Sequence, residues 1–425
     1  MTKQTMPNAW KLVRMGDYCR KPDYGYTASA TQELTGIRFL RITDIQAGGV
    51  KWDIVPYCVC DSRTLKSNKL LADDIVIARI GATTGKAYLI QDCPEAVFAS
   101  YLIRVRTNPE LEANFLYYYF QSEQYWKQIN ENKGGRLKGG VNIPVLQNLL
   151  LPLPPLPEQH AIATILHAIQ KARDSRRSEL TLERERKAAL MEDLFTCGLH
   201  GEPCKQTEIG LMPQSWDIVP ISELFDLQQG QSVSAARRDG DNMIPFLRTV
   251  NVLWGRLDLS RLDTMHFTCI SVGKLRLRAG DLLLCEGGEI GRTAIWNGEI
   301  ETCCCQNHVH RLRARPQTPV CPQFYSYWMQ TAFLQRDAYK GCGNRTTIPN
   351  LSSSAVKAFA VPFPLLTEQK DIAEVLTACD QKIAALEAES ALHNELFRAL
   401  LEELMSGRIS TLPLLENENA TIPAS

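Results

Sequence analysis

The hydrophobic pattern of this chain passes through one succession of elements and then passes through it again. Apolar alternation over Ile37–Ile45, and again over Ile244–Val252, predicts strands. Two short apolar runs, Ile75–Ala78 and Leu282–Cys285, each follow an aspartate and suit buried strands. A glycine turn closes each run: Gly81-Ala82-Thr83-Thr84-Gly85-Lys86 in one, Gly288-Glu289-Ile290-Gly291-Arg292 in the other. Tyr101–Arg106 and His308–Arg313 alternate like strands whose basic residues share one face. Aromatic-rich helices are expected over Asn114–Ile129 and Gln323–Tyr339, followed by the basic, glycine-rich stretches Lys133–Gly140 and Lys340–Arg345.

Each succession ends in a long helix. Leu153-Pro154-Pro155-Leu156-Pro157-Glu158-Gln159 opens one through about Gly198, and Phe363-Pro364-Leu365-Leu366-Thr367-Glu368-Gln369 opens another through about Gly407. Proline is stiff and lacks an N–H donor, so it suits the approach to a helix rather than its interior. The glutamate that follows faces the positive end of the helix dipole. In the second helix Ile372, Cys379, Leu386, His393 and Leu400 recur every seven residues, with Leu376, Ile383, Ser390, Phe397 and Leu404 at the other seam position. All but His393 and Ser390 are apolar, which fits a coiled-coil seam. The first helix has Ile162, Leu166, Ile169, Leu180, Leu190 and Leu194 on its seam, but also Arg173, Arg176, Glu183 and Lys187 near its middle. About 40 residues of helix would span roughly 60 Å.

The two successions are copies. Pro7-Asn8-Ala9-Trp10 returns as Pro213-Gln214-Ser215-Trp216, an offset of 206 residues. Phe39-Leu40-Arg41 returns as Phe246-Leu247-Arg248, Asp74 as Asp281, and Arg104-Val105-Arg106 as Arg311-Leu312-Arg313, all at 207. Ile143-Pro144 returns at an offset of 205 and Glu158-Gln159 at 210. Chance matches would not keep their order with so little drift, so the chain is a tandem duplication of a domain-sized unit. We expect an α+β globule over 1–157, a long helix over 158–200, a second globule over 201–367, a second long helix over 368–410 and a disordered tail over 411–425.

Composition changes this picture little. A length of 425 residues with 44% apolar content suits two or three globular domains. No apolar run is long enough to span a bilayer, and Met1–Trp10 lacks the core of a signal peptide. With no export signal, fourteen cysteines point to reduced thiols in a cytoplasm. The net charge of zero hides an uneven distribution: Lys and Arg exceed Asp and Glu by 19 to 14 over 1–157 and by 17 to 15 over 201–367, whereas 368–425 has 4 against 11. Two mildly basic globules are compatible with nucleic acid without demanding it.

Taken together, the paired Phe-Leu-Arg tripeptides, the Pro-Leu-Pro-Pro-Leu-Pro-Glu-Gln approach at 152–159 with its partner at 362–369, and the two globule-plus-helix halves are specific. Over nearly its whole length the chain resembles the specificity subunit of type I restriction–modification systems. The second approach departs from the family's usual form, with Pro-Leu-Leu-Thr-Glu-Gln, but keeps Glu368 and Gln369. The resemblance implies that each globule is a target recognition domain reading one half of a split DNA site. It implies that the long helices pack as an antiparallel coiled-coil spacer, and that the near-twofold repeat docks two copies of a modification subunit. Catalysis would then belong to the partners: a methyltransferase using S-adenosylmethionine and an ATP-dependent, Mg²⁺-using restriction subunit. This chain would bind no cofactor itself.

For DNA contacts, affinity should come from cations on phosphates and specificity from side chains at base edges. The first candidates are Lys133, Arg136 and Lys138, with their counterparts Lys340, Asn344 and Arg345, where glycine allows close backbone approach. Arg79, Lys86 and Arg292 on the glycine turns follow. Arg41 and Arg248, in the repeated tripeptide, fit a structural or phosphate-binding role better than base reading. Base readers should lie where the copies differ.

Other signals carry less. The 81–86 turn lacks the first glycine and the terminal Ser/Thr of a phosphate loop, since Ile80 and Ala87 stand there. Cys303-Cys304-Cys305 with His308 and His310 suggests zinc, but adjacent cysteines converge poorly on one tetrahedral ion. Cys58-Val59-Cys60 lacks a second pair. The aromatic cluster Phe115, Tyr117, Tyr118, Tyr119, Phe120, Tyr125 and Trp126 reads as core rather than base-stacking. A stand-alone methyltransferase would need an Asn-Pro-Pro-aromatic motif and a glycine-rich cofactor loop, and a nuclease would need converging acids; neither pattern occurs. A non-catalytic coiled-coil scaffold is the remaining alternative, separable by salt-dependent DNA binding.

Overall fold

The computed structural model describes residues 7–46, 49–132, 140–336, 351–411 and 413. It divides into two compact units, Met1–Ser178 with Glu387–Ser425, and Glu179–Leu386. The division runs through the middle of both long helices, so each unit holds one globule, the start of the helix that follows it and the end of the other helix.

In the first unit, β1 (Asp23–Tyr24), β2 (Arg38–Leu40), β3 (Ile75–Ala78), β4 (Ala87–Leu89), β5 (Ala96–Phe98) and β6 (Leu102–Val105) precede α1 (Ala113–Tyr119), α2 (Glu123–Asn132) and the long α3 (Leu156–Cys197). The central sheet has the order β1-β6-β3-β4, while β2 pairs parallel with β5. The second unit repeats this. Its β7 (Phe225–Gln229), β8 (Met243–Leu247), β9 (Asp281–Cys285), β10 (Thr293–Trp296), β11 (Cys304–Cys305) and β12 (Val309–Ala314) precede α4 (Pro322–Gln330) and the long α5 (Leu366–Met405). There the order is β7-β12-β9-β10, with β8 parallel to β11. The strands β3 and β9 are wholly buried, as their continuous apolar runs require.

Several boundaries moved for local reasons. The tripeptide strands stop before the arginine, because Asp44 accepts from the Arg41 backbone N–H and Asn251 from that of Arg248, each opening a 3₁₀ turn. The helix expected over Asn114–Ile129 is two helices: the Ser122 hydroxyl donates to the Tyr119 carbonyl and accepts from the Tyr125 N–H, ending one and starting the next. The counterpart after Gln330 continues as a π-helical turn, Thr331–Gln335. Both long helices start two residues earlier than the Glu-Gln pair, so Pro157 sits within the first turn, where its missing N–H costs nothing. The aromatic cluster is core: Phe115, Tyr118, Tyr119, Phe120 and Tyr125 are buried.

The duplicated Glu-Gln pair clamps each globule to its helix. Trp10 Nε1 donates to Glu158 Oε2 at 2.9 Å, and Trp216 Nε1 donates to Glu368 Oε2 at 2.9 Å. Gln159 Oε1 accepts from the Glu112 N–H, while its amide nitrogen donates to the carbonyls of Glu110 and Pro154. Gln369 repeats this with Cys321, Pro319 and Pro364. Each clamp also meets the end of the other long helix. Gly198 and Gly407 terminate α3 and α5 with positive φ of 69° and 70°, Gly198 against Pro213 and Gly407 against Pro7.

Within each unit the helix segments run antiparallel. Arg176 pairs with Glu389 and Arg173 lies over Phe397 in the first; Glu183 pairs with Lys382 and Lys187 with Asp380 in the second. The polar residues on the α3 seam are therefore matched by charge or ring partners on α5. Hydrogen bonds from Lys382, and then from Arg186, hold the Glu183 carboxyl below the usual carboxylate range.

Candidate functional site

The basic residues of the strands are mostly committed internally. Arg106 donates to both oxygens of buried Asp74, at 2.5 and 3.0 Å, and Arg313 to both oxygens of Asp281, each at 2.7 Å. Arg104 spans Asp23 and the carbonyls of Ser67 and Lys69; Arg311 donates to the Lys274 carbonyl. The duplicated Asp and Arg-x-Arg signals thus brace the sheet rather than face a ligand.

Of the sequence candidates, Arg41 is held by Asp44 in a bidentate pair, and Arg248 by Asp263 at 2.8 Å. Arg292 ties its glycine turn to the Thr249 carbonyl at 3.0 Å. Lys86 is exposed and lines a cleft of about 480 Å³ that also touches Thr83, Tyr117, Gln170 and Arg173. Arg79 stacks its guanidinium over Tyr24, 4.7 Å from the ring centroid, and donates to the Ser100 carbonyl at 3.4 Å. Lys133, Arg136, Lys138, Lys340, Asn344 and Arg345 lie outside the described residues, as does nearly all of the tail expected to be disordered.

The ends of β3 and β9 are framed alike. The Arg79 N–H donates to the Tyr101 carbonyl, and the Arg79 carbonyl accepts from the Val141 N–H. The Glu286 N–H donates to the His308 carbonyl, and the Glu286 carbonyl accepts from the Leu351 N–H. Beside each, a glycine (Gly25 or Gly230) sits where a Cβ would collide with a strand carbonyl. The basic glycine-rich stretch of each copy precedes Val141 or Leu351 in sequence, so the chain after it is anchored at this strand end. Arg79 was among the sequence candidates, but its counterpart Glu286 was missed, because the reversal of charge hides the equivalence; the 207-residue offset was the signal that could have found it.

The cysteine run lies in the core. Cys303, Cys304 and Cys305 are buried, Cys304 opposite Phe246 in β8, and burial pushes the Cys303 thiol up to about 12. Among the described residues, no helix is long and apolar enough to cross a membrane.

The repeated architecture agrees with comparison to known proteins. The model of the type I restriction modification DNA specificity domain matches residues 7–183 and again 213–395. The chain belongs to this family. It is a type I specificity subunit with two tandem recognition domains. It is 23% identical over 417 residues to the MjaVIII type I restriction enzyme specificity subunit of Methanocaldococcus jannaschii, covering 95% of this chain and 94% of that one. It is 24% identical over 331 residues to the EcoBI specificity subunit of Escherichia coli, covering 72% and 68% of the two chains. In fold the specificity subunit is similar to a type I restriction–modification S subunit from M. genitalium, with a TM-score of 0.59, 14% identity and coverage of 95% and 97%. A chain from a type I assembly gives a TM-score of 0.54 at 19% identity, with coverage of 95% and 100%.

Proposed function

We propose that each globule reads one half of a split double-stranded DNA site and that the antiparallel helix segments set the unread spacer between the halves. The chain docks two copies of a modification subunit, and through them restriction subunits, in the cytoplasm. It performs no catalysis and binds no cofactor. The observation that carries this reading is that globule and clamp are duplicated down to single hydrogen bonds, Trp10–Glu158 matched by Trp216–Glu368, while exposed side chains at equivalent positions differ, Tyr101 against His308. Two equal holders of unequal readers suit an asymmetric bipartite target. Phosphate contacts are assigned to Lys133, Arg136, Lys138, Lys340, Asn344, Arg345 and Lys86; Arg41, Arg248 and Arg292, tied to Asp44, Asp263 and the Thr249 carbonyl, support the frame.

The test is to purify the chain with its cognate modification subunit and map methylated bases across the host genome. A split motif with a constant gap is expected, and exchanging one globule should change only one half. DNA affinity of the complex should fall steeply with salt. An active partner with no split motif dependent on this chain, and no salt-dependent binding, would leave the scaffold alternative standing.

A further inference from the structure

The two strand ends have one backbone frame and opposite chemistry. In the first copy the position after β3 holds Arg79, stacked on Tyr24, with a buried Nε that lacks a hydrogen-bond partner among the described residues, and Tyr101 beside it 56% exposed. In the second copy the same frame holds Glu286. Its carboxylate accepts from Gln229 Nε2 at 3.1 Å and has His310 Nε2 at 3.7 Å and His308 Nδ1 at 4.0 Å; the His308 side chain is 50% exposed. The replacements are position for position: Tyr24 by Gln229, Arg79 by Glu286, Tyr101 by His308. Each pair is fixed by equivalent backbone bonds or strand register. Even the bond to the neighbouring carbonyl is kept with its donor moved, Arg79 to Ser100 in one copy and Gln229 to Asn307 in the other.

A reversal from guanidinium to carboxylate, with each charge given its own supports, is what two readers of different bases require. We propose that Arg79 with Tyr24 and Tyr101, and Glu286 with Gln229 and His308, are equivalent specificity-determining sets that make the two half-sites different. This rests on the reading that each copy recognises half of a split DNA site. The donor set of the first copy fits the O6 and N7 acceptors of guanine. The acceptor of the second fits the exocyclic amino group of cytosine or adenine. Tyr24 holds the guanidinium plane as Gln229 holds the carboxylate, so neither group must be ordered when DNA arrives.

The test maps methylation by the full complex carrying Arg79→Gln or Glu286→Gln. Arg79→Gln should lose preference for guanine at one base of the first copy's half-site, roughly ten- to a hundredfold, with the other half unchanged. Glu286→Gln should do the same for an amino-bearing base in the second half only. Because Glu286 is largely buried, His308→Ala, at a half-exposed position, accompanies it and should weaken preference at the same or an adjacent base. Motifs unchanged at every base in Arg79→Gln and His308→Ala, with only a uniform fall in rate, would overturn the assignment while leaving the split-site reading intact. Loss of that broader reading would appear instead as a native complex with no split motif.

Discussion

Replacing Asp281 by Asn tests whether the duplicated Asp and Arg-x-Arg signals are braces. Asp281 is 1% exposed and accepts three hydrogen bonds: two from Arg313 at 2.7 Å and one from the Arg278 N–H at 2.8 Å. Asn keeps the shape but offers one acceptor oxygen and turns an NH₂ group toward a donor. Removing one partner of a buried ion pair costs about 3–5 kcal/mol. The Arg313 side chain is 25% exposed, so water recovers part of its solvation. The expected loss is therefore about 3 kcal/mol, near the lower end of that range, or roughly a hundredfold in the unfolding equilibrium. Urea unfolding followed by tryptophan fluorescence measures it, because the second unit contains Trp216, Trp254, Trp296 and Trp328. Asp74→Asn, facing Arg106 in the same geometry, should weaken the first unit by a similar amount. A loss below about 1 kcal/mol in both would refute the brace, since exposed pairs contribute only that much. The arginines would then be available for another role.

Three further outcomes follow from named contacts. Glu158→Ala strands the buried Trp10 indole N–H and should cost about 1–3 kcal/mol, with Glu368→Ala doing likewise for Trp216; calorimetry that shows no change in either would remove the clamp from the account. Gly407→Ala combines a positive φ of 70° with a Cβ placed 2.6 Å from Pro7, so it should destabilise more than the αL penalty of about 1–2 kcal/mol alone. Gly198→Ala, whose nearest atoms stand at 3.0 Å, should be the milder of the two by thermal melting. Burial holds His310 below its ordinary value of 6.5, so the folded state binds fewer protons than the unfolded one. The second unit should keep full stability above about pH 6.5 and lose it as pH falls through the depressed value; a His310→Asn variant should show a flatter melting profile over that window.

The duplication, the long helices and their seam were legible in the sequence because they rest on short-range and periodic signals. A heptad needs only its own register, and a proline shortly before a Glu-Gln pair is a local helix-start signal. The aromatic cluster at 115–126 was legible as core from composition, because so many large rings in a short stretch must bury most of their apolar area. The sequence also showed that Trp10 and Glu158 recur as Trp216 and Glu368. Their 148-residue separation concealed that they bond to each other. Only the tertiary structure joined them, because a hydrogen bond between distant segments depends on where the intervening globule returns the chain. The same holds for the basic residues. Arg106 looks in sequence like a surface cation, and it is buried Asp74, 32 residues away, that takes it inward; Arg41 stays part-exposed but is held in place by Asp44. It holds most of all for Arg79 and Glu286. The 207-residue offset already aligns the two positions, whereas their partners, Tyr24 for one and Gln229 with His310 for the other, meet them only once strand, glycine turn and returning loop are folded together.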